Sequence, residues 1–168
     1  DRQYLRQLYA GGLARFSDAI GAHPSGYNLP PDADWRTFTG CRAFTAPCTS
    51  RHPSWSFKAT LEDYHAIAVQ SGDGDKPIWV TEFGWAASLG KRIKGYAYAD
   101  DNSAWQAGQY ARQAYELAKD WPWLGGLFYW NLNYAMVDGI DVERSLFSLL
   151  DADGNPRDAF NALQTLPK

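Results

Sequence analysis

A carboxylate at the end of an apolar strand is the first feature of this sequence able to do chemistry. The stretch Lys76-Pro77-Ile78-Trp79-Val80-Thr81-Glu82-Phe83-Gly84-Trp85 is a short run rich in β-formers that ends in Glu82, a glycine and a second tryptophan. A run of that length between turn signals predicts a strand buried on both faces, as in parallel sheets. Ionised carboxylates are seldom buried without partners, because desolvating the charge is costly. Glu82 at the carboxyl end of such a strand therefore needs a reason. In barrels of alternating strands and helices that end carries the catalytic side chains. The plainer alternative is a solvated strand-end acid paired with a lysine. Aromatic residues are the second feature: 8 Trp, 10 Tyr and 8 Phe in 168 residues. Many lie beside Gly, Pro, Asn and Asp in predicted loops, where a core does not need them.

The elements that must position these residues follow from periodicity. Residues 2–10 place Leu5, Leu8 and Tyr9 at amphipathic helical spacing, and Gly11-Gly12 stops that helix. Phe16–Ala22 reads as a strand that runs into His23-Pro24-Ser25-Gly26-Tyr27 and a long irregular stretch to about Pro53. Ser54 or Ser56 caps a second helix, with Phe57, Leu61, Tyr64 and Ala68 on one face. The turn 71–75 leads into the Glu82 strand, and a second long loop reaches Asn102. Ser103-Ala104-Trp105-Gln106 has the form of a capping box. The helix it opens turns Ala107, Ala111, Ala114, Tyr115 and Ala118 inward, and Trp121-Pro122 closes it. Gly125–Trp130 is a third strand and 131–154 a third long loop; Asn155-Pro156 then starts a last helix with Phe160 and Leu163 toward the core.

The result is a helix followed by three strand–helix units, an α/β chain expected to form one domain over 1–168. Connections entering the strands are short and those leaving them are long. Right-handed crossovers place all the long ones at one end of a parallel sheet, the active-site face in a barrel. Three strands cannot close a barrel, which needs about eight, and would leave two edges unpaired. A missing half-barrel or self-association is therefore expected to cover them.

Composition narrows the partners. A net charge of −3 without a basic cluster argues against nucleic acid. There is no apolar run near the roughly 18 residues that a membrane span requires, and the first residues do not read as a signal peptide. Cys41 and Cys48 share one loop. A disulfide between them would fit a secreted or extracytoplasmic protein; two free thiols fit equally. No metal or cofactor motif stands out, and Asp151-Ala152-Asp153-Gly154 reads as a turn because the closing glutamate of a calcium loop is missing.

Around Thr81-Glu82-Phe83-Gly84 the sequence resembles the retaining glycoside hydrolases of the (β/α)₈-barrel clan with two catalytic glutamates, closest to the cellulase-like family five and the β-xylosidase-like family thirty-nine. The resemblance runs through the chain. Phe16–Tyr27 is similar to the sixth strand and its exit, Pro77–Trp85 to the seventh, Gly125–Asn131 to the eighth, and the segment from Ser148 to Leu163 to the closing helix. It implies the C-terminal part of a TIM barrel that cleaves β-linked glycans by double displacement, with Glu82 as the nucleophile and no cofactor. Such chemistry needs two carboxyl groups about 5–5.5 Å apart. In the clan the second belongs to an Asn-Glu pair ending strand four; this sequence has no Asn-Glu pair.

The resemblance also implies carbohydrate contacts. His23 stands where the clan places a histidine beside the sugar, Tyr27 would hydrogen-bond the nucleophile, and Trp130 would floor the central subsite. Trp85 is a further candidate platform, with Trp35, Tyr96, Tyr98 and Tyr134, since a flat aromatic ring suits the C–H face of a sugar. Asp138, Asp141 and Glu143 are the other carboxylates expected near the site, where a solvated loop face is the better reading than a proton donor. A chain without that donor should be inactive or very weak alone. The competing class is a non-catalytic carbohydrate-binding or scaffold half-barrel. A phosphate-binding barrel would need a Gly-rich anion cradle after the last strands, and Asn131-Leu132-Asn133-Tyr134 supplies none.

Overall fold

The computed structural model describes residues 2–36, 52–91 and 93–167. Cys41 and Cys48, and with them the disulfide alternative, lie outside the described residues. The chain runs α1 (Arg2–Ala10), α2 (Leu13–Phe16), β1 (Ile20–Ala22), α3 (Phe57–Gln70), β2 (Ile78–Phe83), α4 (Ala104–Ala118), β3 (Leu124–Tyr129), α5 (Tyr134–Asp138) and α6 (Asp158–Gln164), with short 3₁₀ turns at 53–55, 97–101 and 143–147. The three strands pair in the order β1-β2-β3, both pairs parallel. Parallel neighbours need a crossover, supplied by α3 between β1 and β2 and by α4 between β2 and β3.

One side of the sheet is the core. Ile20 and Ala22, then Ile78 and Val80, face Phe57, Leu61 and Ala68 of α3 and Ala107, Ala111 and Ala114 of α4. Phe57, Leu61, Ile78 and Val80 have no exposed surface, and each such side chain contributes about 1.5–3 kcal/mol by leaving water. Ser56, not Ser54, is the N-cap of α3, its hydroxyl accepting the Ala59 N–H. Small residues let α4 approach α6 closely: a Cβ on Gly108 would come within 2.9 Å of the Asp158 carbonyl oxygen. The expected capping box is formed, Ser103 Oγ accepting from Gln106 N–H and Gln106 Oε1 from Ser103 N–H. Ser103→Ala should therefore lower stability by about 1 kcal/mol, read as a shift in urea midpoint at unchanged slope.

Three expected elements differ. The strand predicted over 16–22 forms only at 20–22, the stretch with a partner in β2. Gly12, at φ 100°, restarts the chain as the helical turn α2, leaving Phe16 80% exposed. The last helix begins at Asp158 instead of Asn155, because Pro156 bridges Leu150 and the Asp151 carboxylate accepts the N–H groups of Asp153 and Asn155. That closes 151–155 as a turn.

The third difference concerns β2, which is not buried on both faces. Trp79 is 41% exposed and Thr81 is open, while Ile78 and Val80 are covered. The face opposite the helices carries Trp79 and Phe128, their rings stacked at 6.0 Å. Trp79 lies over β3 because that strand is glycine there: a Cβ on Gly125 would sit 2.4 Å from the indole nitrogen. No helix of the described residues packs on this face, so it alternates where a fully enclosed parallel strand would be apolar throughout.

Candidate active site

The loops leaving β1, β2 and β3 meet at the carboxyl end of the sheet. They enclose a cavity of about 510 Å³ lined by residues that include His23, Tyr27, Glu82, Tyr96, Tyr98 and Trp130. Regular alternation along β2 would turn Glu82 inward with Ile78 and Val80, and Phe83 outward. The pairing with β3 is irregular between Val80 and Phe83. Phe83 is consequently buried and the Glu82 side chain is 40% exposed, with Thr81 and Glu82 both touching His23. A bulge-like irregularity re-aims side chains in this way beside functional sites.

His23 stands between those two groups. Its Nδ1 lies 3.5 Å from Glu82 Oε2 and its Nε2 2.9 Å from Thr81 Oγ1. A carboxylate can only accept, so the arrangement satisfying both contacts has Nδ1–H facing Glu82 and Nε2 accepting the Thr81 hydroxyl. Thr81, which sequence reasoning passed over, thus sets the tautomer of the imidazole. Its place one residue before Glu82, near the carboxyl end of the strand, is the signal that marks it.

Three tyrosines form one wall. Tyr27 and Tyr98 meet edge to face at 5.2 Å, and Tyr96 lies 5.7 Å from Tyr98. Burial pushes the Tyr27 and Tyr98 phenols above their ordinary value, reinforced by neighbouring tyrosines, so both remain protonated donors at neutral pH. Tyr27 holds a left-handed backbone (φ 53°). Its carbonyl is gripped by buried Asn102, whose Nδ2 donates to Tyr27 O and Ala86 O at 2.8 Å each. Asn102 was also missed by sequence reasoning; nothing but its place in a loop marked it.

The opposite wall leaves β3. Trp130 and Tyr134 pack at 5.1 Å, and the Trp130–Asn131 peptide is cis. Buried Asn131 ties this loop together: Nδ2 donates to Arg144 O, and Oδ1 accepts from Tyr134 N–H and Ser148 Oγ–H. Of the three loop carboxylates, only Glu143 lines the cavity. Asp138 binds Arg144 and Asp141 binds Lys91.

Trp85 is a correction. It is 1% exposed and packs among Phe57, Phe83 and Tyr110, so it offers no face to a sugar. Its Nε1 donates to Leu29 O at 2.7 Å, and Gly26 lies flat on the indole, where a Cβ would be 2.1 Å from the ring. Trp85 therefore fastens the loop bearing His23 and Tyr27 to the exit of β2. Trp35, stacked under Arg36, lines a different hollow.

Among the described residues no cluster of His, Cys, Asp and Glu is arranged to hold a metal ion, and no helix is long and apolar enough to cross a membrane. No protein-family model and no curated protein matches the sequence. Among solved structures, the chain is similar to a family 39 glycoside hydrolase from the gut symbiont Bacteroides cellulosilyticus WH2, with TM-score 0.60 and 19% identity. The match covers 94% of this chain and 28% of that one. This likeness shows the fold: helices on a small parallel sheet, equivalent to part of a glycoside hydrolase chain.

Proposed function

We propose that this chain is the strand six-to-eight portion of a (β/α)₈ barrel, a retaining glycoside hydrolase of β-linked glycans with Glu82 as nucleophile. The single observation that supports this most is the Glu82 carboxylate itself. It stands at the carboxyl end of the central strand, turned by an irregular register into an aromatic-lined cavity beside an imidazole. Glu82 attacks the anomeric carbon as the bond to the leaving oxygen breaks, and an acid on the absent strands protonates that oxygen. The same acid, now a base, takes a proton from water as water displaces Glu82 from the sugar. His23 orients Glu82, the protonated phenols of Tyr27 and Tyr98 donate to the substrate or the carboxylate, and Trp130 supplies an apolar floor.

The remaining strands of the barrel would cover the Trp79–Phe128 face and the free edges of β1 and β3. They would bring the second carboxyl group, which makes 168 residues part of one larger domain. A Cys41–Cys48 disulfide would suit export. The second reading, a non-catalytic sugar-binding half-barrel, draws on the cavity having Glu82 and Glu143 as its lining carboxylates, neither in an established acid role. A 2-deoxy-2-fluoroglycoside with a good leaving group separates the two. The intact barrel should gain one fluorosugar mass on the peptide containing Glu82, removed by Glu82→Gln; an unlabelled intact barrel rejects the enzyme.

A further inference from the structure

We propose that Glu143 makes this cavity selective for glycans carrying a free, protonated amine, such as glucosamine units; this rests on reading the cavity as a carbohydrate site. Glu143 opens the 3₁₀ turn 143–147 on the loop after β3 and lines the same cavity as Glu82. Its carboxylate forms no ion pair or side-chain hydrogen bond among the described residues. Two cations of the surrounding loops are engaged by other acids. The neighbouring Arg144 guanidinium is bound by Asp138 (Nε···Oδ2 2.6 Å) and lies over the Tyr134 ring, while Lys91 is held by Asp141 at 3.1 Å.

Glu143 is near Tyr98, whose phenol its charge helps to push upward. The ring wall beside it is Tyr27, Tyr96 and Tyr98. Aromatic faces attract ammonium groups, and carboxylates attract them more strongly. Two acids, Glu82 and Glu143, thus line a hollow whose basic lining residues among those described are His23, beside Glu82, and Arg144, already bound by Asp138. An ammonium in place of a sugar hydroxyl satisfies Glu143; a uronate in the same place meets repulsion.

The test titrates the intact barrel, made catalytically silent by Glu82→Gln, by calorimetry in mildly acidic buffer with three β-1,4-linked trisaccharides: glucosamine, glucose and glucuronic acid. The glucosamine trimer should bind about tenfold more tightly than the glucose trimer. The margin should shrink as salt rises, and the glucuronic trimer should bind weakest. Glu143→Gln should erase the margin at an unchanged melting temperature, whereas Asp75→Asn, on the turn before β2, should preserve both the margin and the glucose-trimer affinity. Equal binding of the glucosamine and glucose trimers, or a margin that survives Glu143→Gln, overturns this inference alone. Binding of none of the three overturns it together with the carbohydrate reading.

Discussion

Replacing Glu82 with glutamine should lower glycoside hydrolysis by the intact barrel by ~10⁴-fold or more, the scale at which a covalent nucleophile is missed. Glutamine keeps the size of the side chain and an oxygen facing His23, so the fold and the cavity should persist. What is lost is the charge that attacks the anomeric carbon. On the proposed reading the loss falls on kcat and kcat/KM together, since the interaction exists only on the way to the covalent intermediate. Stopped-flow release of a nitrophenol from an aryl β-glycoside checks it: the wild-type burst should vanish in the variant. A variant retaining a tenth of the activity would assign Glu82 to binding. His23→Ala should be milder, because the imidazole orients the carboxylate and does not react.

The second large effect is structural. Trp85→Ala should destabilise the chain by about 3–5 kcal/mol, the usual cost of removing a large aromatic side chain from a packed core. The site is unsuited to collapse: Phe57, Phe83 and Tyr110 surround the indole, and Gly26 lies against it. Leu29 O also loses a buried donor, which adds to the cost. Domains of this kind are stable by only about 5–15 kcal/mol, so a drop of this size should be obvious in urea unfolding. Trp85→Phe should recover part of it. Had Trp85 been a sugar platform, the alanine variant would unfold at the wild-type midpoint and fail only in binding.

Much of the fold was legible in the sequence because it rests on local rules. The capping box at Ser103, the glycine stop after Ala10, the turn at 151–154 and the apolar face of α3 each depend on residues within a few positions of one another. The contrast between short and long connections placed the functional loops at one end of the sheet. Errors arose where a distant partner decided the outcome. Phe16 has a reasonable strand environment in sequence but no neighbour to pair with, and Pro156 is diverted from the helix start by Leu150. The sequence is rich in aromatics, yet it does not sort Trp130 at the cavity from Trp85 in the core, since both follow a strand.

The sequence by itself determined that an acid ends a β-rich strand amid aromatic loops, because strand length, turn residues and caps are written into neighbouring side chains. Only the tertiary structure decided which way that acid points. A one-residue irregularity between β2 and β3 exchanges the faces of Glu82 and Phe83, and the period of a strand is two, so one residue separates a core side chain from one open to a ligand.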